Sequence, residues 1–104
     1  MRTGTKIATV FTALCDETRV KVLELLRSGE QCAAVLLKQV NVGQSTLSHH
    51  MKILVESGVV TARRAGRRTY YSICENGRQY AAELLRQLTV LAEGDTGRLA
   101  PAGI

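Results

Sequence analysis

The feature that most restricts this chain is residues 41–73, NVGQSTLSHHMKILVESGVVTARRAGRRTYYSI, where a helical period gives way to a strand period across a Ser57-Gly58 break. Leu47, His50, Met51 and Leu54 fall at i, i+3, i+4 and i+7, so they share one face of a helix, and that face must turn inward. Gln44, Ser45, Thr46, Ser48, His49 and Lys52 lie on the opposite face, and Gly43 is an acceptable N-cap. After Gly58, the β-prone runs Val59 to Ala62 and Thr69 to Ile73 flank a tip containing Gly66, which predicts a hairpin. Arg63, Arg64, Arg67 and Arg68 crowd that tip and the strand ends around it.

A short polar face rich in donors and acceptors is what a helix needs to read base edges in a major groove. Arginines packed this closely repel one another, and a polyanion beside them removes the conflict. Taken singly, each feature fits an ordinary solvated surface. In this order they point together to double-stranded DNA, with Lys38 on the preceding helix as a further phosphate contact. A reading helix followed by a basic hairpin predicts a winged helix-turn-helix: mainly α, about five helices, with a small β-hairpin wing. The net charge of +5 is localised to match, because residues 31–74 hold six basic residues against Glu56 alone, while eight basic and eight acidic residues cancel elsewhere.

A chain of 104 residues buries roughly 65% of its unfolded surface and folds as one domain around one core. With no Trp and a single Phe, that core is aliphatic. Three cysteines, Cys15, Cys32 and Cys74, are too few, too scattered and odd in number for a disulfide framework, and reduced thiols in a cytoplasm are expected. The run before Cys15 lacks a small residue at the cleavage position, since Leu14 stands there, so no lipoprotein signal is expected. No segment approaches the roughly 18 apolar residues of a membrane span.

Along the chain, Ile7, Val10, Phe11 and Leu14 predict a first amphipathic helix. Asp16 caps a second, with Val20, Leu23 and Leu26 on its inner face until Ser28-Gly29, and Arg19 in Asp-Glu-Thr-Arg is expected to be a structural partner. A short third helix runs from Gln31 to Val40, and Asn41-Val42-Gly43 turns into the reading helix. Glu75-Asn76-Gly77 opens a last helix through about Ala92, carrying Ala81, Leu84, Leu85, Leu88 and Leu91. Apolar stripes on both terminal helices predict a homodimer through Ile7, Val10, Phe11, Leu84, Leu88 and Leu91. Residues 1–93 then form the DNA-binding and dimerisation domain, and 94–104 are expected to be a disordered tail.

Residues 5–92 resemble the ArsR/SmtB family of small bacterial winged-helix repressors. The resemblance is carried by Leu14-Cys15-Asp16-Glu17-Thr18-Arg19, Gly43-Gln44-Ser45-Thr46-Leu47-Ser48-His49-His50-Met51-Lys52-Ile53-Leu54, Glu56-Ser57-Gly58-Val59-Val60 and Arg67-Arg68-Thr69-Tyr70-Tyr71-Ser72-Ile73. It implies a homodimer on an inverted-repeat operator, released by an effector. It places base reading on Gln44, Ser45, Thr46, Ser48 and His49 and the wing on Arg63 to Arg68, with His50 on the inner face. No catalytic set is recognisable, so an enzyme is not expected.

Zinc-sensing members carry Asp and His along the last helix, and this helix has no His. Arsenic-sensing members carry Cys-x-Cys at the third helix, because As(III) and Sb(III) prefer three sulfur ligands. Here Cys32 is matched, but Ala34 stands where the second cysteine would be, and Leu37 and Val55 are apolar. The inducer site is either lost or relocated to Cys15 and Cys74. Three functions remain: a metalloid-responsive repressor, a repressor of the same fold switched by thiol oxidation, and a winged-helix module that binds an acidic protein.

Overall fold

The computed structural model describes residues 3–92. Among them the order is α1 (Thr3–Leu14), α2 (Glu17–Leu26), β1 (Gln31–Cys32), α3 (Ala33–Gln39), α4 (Gln44–Glu56), β2 (Val60–Ala65), β3 (Arg68–Ile73) and α5 (Glu75–Thr89). The expectation of a disordered tail over 94–104 lies outside the described residues.

Local chemistry sets most boundaries. The Asp16 carboxylate accepts from the Arg19 amide at 3.0 Å and starts α2, satisfying one of the amides that a helix start leaves unpaired. Ser57 ends α4 by turning its hydroxyl back to Leu54 O at 2.6 Å while accepting from Val59 N at 3.2 Å. Gly66 opens the two-residue hairpin turn at φ +63°, a left-handed conformation that suits glycine there.

The sheet holds one strand more than the hairpin. Gln31 and Cys32, expected to begin the third helix, pair antiparallel with Tyr71 and Tyr70, so the order is β1-β3-β2. Two residues are too few to show a period, and only the pairing partner identifies them as a strand. The hairpin itself is longer than expected, with Val60 opposite Ile73 and Ala65 opposite Arg68, leaving Gly66 and Arg67 as the turn. The last helix is shorter, ending at Thr89 with Val90 extended.

The main core joins α1, α2, α3, α4 and β2 through Ala13, Val22, Leu26, Leu36, Leu47, Met51, Leu54 and Val60. Val22 rather than Val20 is the inward residue of α2, and Val20 is 43% exposed, correcting the expected inner face. Arg19, also buried, takes part of the space on that face. A second cluster of Val10, Val59 and Leu84 binds α1 to α5, helped by Ile7, Leu14, Leu23 and Ala81. Val10 and Leu84, each 3% exposed, are therefore taken up inside one chain, a correction to their assignment to a subunit interface. Leu88 and Leu91 remain 60% and 58% exposed.

Candidate nucleic-acid interface

The outward face of α4 is as its period predicts. Gln44, Ser45, Thr46, Ser48, His49 and Lys52 are exposed, while Leu47, Met51 and Leu54 beneath them are buried. Burial of three large side chains along one stripe fixes the rotation of the helix, so the polar ridge cannot turn away from solvent. Gly43 supplies no side chain to cap α4, which leaves first-turn amides open to a phosphate.

Beside this ridge lies a cleft of about 430 Å³, lined by Gln44 and Ser48 on one side and Arg67, Arg68, Thr69 and Tyr71 on the other. Cys32, Ala34, Leu37, Leu47 and Met51 also line it. The fold thus places part of the reading helix and the wing arginines on one concave surface. Lys38, Ser45, Thr46, His49, Lys52 and Arg64 are exposed outside it. Tyr71 is half-buried, and burial pushes its phenol above the usual range, opposed in part by the Arg64 charge.

Arg63 departs from expectation. Its guanidinium donates to both Glu30 carboxylate oxygens, at 3.0 and 2.8 Å, and lies 4.6 Å from the centre of the Tyr70 ring. The hydrogen bond from Arg63 holds the Glu30 carboxyl below its ordinary range, and Glu30 raises the Arg63 guanidinium in return. Its charge is neutralised within the chain, so Arg63 is a clasp across the sheet and not a free wing cation. Among the described residues Arg64, Arg67 and Arg68 make no ion pair, and these three carry the wing's positive field.

Glu30, Thr69, Tyr70 and Tyr71 receive no site role from the sequence. Mirror symmetry about a two-residue turn at Gly66-Arg67 would have set Arg63 opposite Tyr70, the pairing observed. Nothing local marks Glu30.

The cysteines stand in three different settings. Cys15 is exposed between α1 and α2, Cys32 is half-buried at the start of α3, and Cys74 caps α5, its Sγ accepting from Gly77 N at 3.4 Å. Among the described residues no three His, Cys, Asp or Glu side chains are arranged to hold a metal ion. A soft trivalent metalloid wants three thiolates, and the described residues of one chain do not assemble them. No described helix is long and apolar enough to cross a membrane.

A short supporting helix, a tight turn, a solvent-facing polar helix and a basic hairpin in this arrangement define a winged helix-turn-helix DNA-binding protein. Residues 16–62 match the family described as "Bacterial regulatory protein, arsR family". The chain is 34% identical, over 88% of its length and 86% of the other's, to an arsenical resistance operon repressor of Staphylococcus xylosus. It is 41% identical to another such repressor, of Staphylococcus aureus, in a match spanning 65% of each chain. Its fold matches the solution structure of a homodimeric winged helix-turn-helix DNA-binding domain from Mycobacterium bovis, described as a possible ArsR-family regulator. There the TM-score is 0.66 at 29% identity, covering 81% of this chain and 82% of the other. The chain belongs to the ArsR family of transcriptional regulators, which are not enzymes.

Proposed function

We propose that this protein is a homodimeric repressor that binds an inverted-repeat operator in duplex DNA. The observation that carries the reading is the shared cleft, where Gln44 and Ser48 of the reading helix face Arg67 and Arg68 of the wing. Base-edge donors and acceptors next to unpaired cations match a groove between two phosphate rails. The dimer is supported by the exposed Leu85 and Leu88 on α5, with exposed Leu91 just past its end, and by the homodimeric state of the Mycobacterium relative. Two reading helices related by a two-fold axis call for a two-fold operator. Such a regulator works in the cytoplasm, where the DNA is.

Release by arsenite, antimonite or another thiol-reactive agent is the finer part of the proposal. The names of the staphylococcal relatives and the place of Cys32 in the cleft lining support it, while Ala34, two residues after Cys32, leaves that site short of sulfur.

The test is a fluorescent duplex, enriched by the protein from a random-sequence library, titrated at rising salt. With about six to ten phosphate contacts per dimer, affinity falls by about 10³–10⁵-fold between 50 and 200 mM salt. Replacing Arg67 and Arg68 by Ala weakens all sequences and flattens the slope, whereas Gln44→Ala relaxes sequence preference. Unchanged affinity after all three substitutions removes the reading in favour of a protein-binding module. Arsenite and peroxide, added in turn to wild type and to each Cys→Ser variant, separate metalloid from redox release. Leu88→Ala weakens self-association by about tenfold to a hundredfold in sedimentation if the α5 stripe is the interface.

A further inference from the structure

Arg19 is 8% exposed, and each of its three guanidinium nitrogens makes a hydrogen bond. Nε donates to Ala13 O at 2.8 Å, one terminal nitrogen to Thr12 O at 3.2 Å, and the other to His50 Nδ1 at 2.9 Å. The two carbonyls belong to the last turn of α1, where a helix leaves acceptors unpaired and favours a cation. His50 belongs to α4 and sits next to His49 of the polar ridge. One guanidinium therefore ties the end of α1 to the reading helix.

The tie depends on the charge of His50. A guanidinium only donates, so Nδ1 accepts and the imidazole is neutral with its proton on Nε2. A proton on Nδ1 would remove that acceptor and set two cations together at hydrogen-bond distance. The alternative partner is the Asp16 carboxylate, 3.7 Å away, which is already engaged as the cap of α2. The groups facing His50 are Arg19 from α2, Asp16 from the cap of α2 and, on its own helix, the His49 ring at 6.2 Å; α1 contributes to the cluster the two carbonyls held by Arg19.

We infer that Arg19 and His50 are positioning residues for DNA reading: the pair holds α4 against the end of α1 while His50 is neutral, and protonation of His50 exchanges Arg19 for Asp16 and releases the helix. The inference rests on the DNA-binding reading for its consequence, but not for its geometry. Affinity for duplex falls on acidification. His49 opposes this, since a cation on the exposed ridge strengthens attraction to phosphate.

The decisive comparison uses His49→Gln as the background and the library-enriched duplex as probe, at constant ionic strength from pH 7.5 to 5.5. His49→Gln loses affinity by about tenfold or more over that interval. The double variant with His50→Gln stays flat, because the amide oxygen accepts from Arg19 without titrating. Equal pH dependence in the two proteins, or none in the first, overturns the inference. Without DNA, ¹⁵N NMR of the wild type reads the ring directly. The Nε2–H tautomer at pH 7.5, with α4 amides shifting on acidification in wild type but not in His50→Gln, supports the tie, and an Nδ1–H tautomer refutes it. A protein that binds no duplex yet shows this NMR behaviour loses the DNA reading and keeps the positioning pair.

Discussion

Gly77, in the first turn of α5, lies so close to the carbonyl of Gly58 that no β-carbon fits between them. The contact docks the start of α5 on the turn between α4 and β2, where Cys74 N also donates to Val59 O at 2.8 Å. The helix bearing the exposed leucines is thus seated by backbone at the root of the wing. Lys6, above the Tyr80 ring at 5.8 Å, adds a contact between α1 and α5.

Gly77→Ala is therefore expected to destabilise. Helix propensity alone favours alanine by about 1 kcal/mol, but the obstruction is backbone and cannot rotate aside. A net loss of about 2 kcal/mol or more in urea unfolding is expected. A variant more stable than wild type would mean that α5 docks elsewhere.

The clasp between Glu30 and Arg63 predicts unequal wing arginines. Because the dimer carries each substitution twice, Arg67→Ala lowers the slope of log affinity against log salt by about two, while Arg63→Ala leaves it nearly unchanged. Glu30→Gln frees both copies of the Arg63 charge and steepens the slope by about two. If Arg63→Ala flattens the slope as much as Arg67→Ala does, the clasp opens on DNA.

Asp16 sets a pH dependence of stability. The hydrogen bond from the Arg19 amide, with the charges of His50 and Arg19, holds its carboxyl below the ordinary 3.8. A depressed folded-state value means the contribution is fully present above 3.8 and is lost as pH falls through the lower folded value. Asp16→Asn keeps a capping oxygen and removes the titration. In urea melts from pH 5 to 2, where His50 is protonated throughout on the inference above, the gap between the two proteins should be constant at the upper end and close below 3.8. A gap that widens there contradicts the sign.

The rotation of α2 is tested by two valines. Val22, fully buried, should lose about 2 kcal/mol on replacement by Ala, from lost apolar burial and the cavity left. Val20→Ala, at a half-exposed position, should change stability by less than about 0.5 kcal/mol. Equal losses would return Val20 to the core.

Much of the fold is legible in residues three and four apart. Leu47, Met51 and Leu54 declare the inner face of α4, and the buried stripe found there is theirs. Asp16, Gly43 and Ser57-Gly58 mark helix ends through chemistry that acts within a few residues. The same local reading misassigned Val20, because a buried arginine replaces a valine on the inner face and no hydropathy pattern anticipates that.

What the sequence by itself determined is the set of helices, the polar ridge of α4 and the basic hairpin after it, since each follows from propensity, period and charge between near neighbours. Only the tertiary structure decided that Gln31 and Cys32 form a third strand, that Val10 and Leu84 close on each other within one chain, and that Arg63 is spent on a carboxylate. Glu30 and Arg63 are 33 residues apart, and Arg19 and His50 are 31 apart. Pairings at such separations leave no periodic trace, because they exist only after chain closure has brought their elements together.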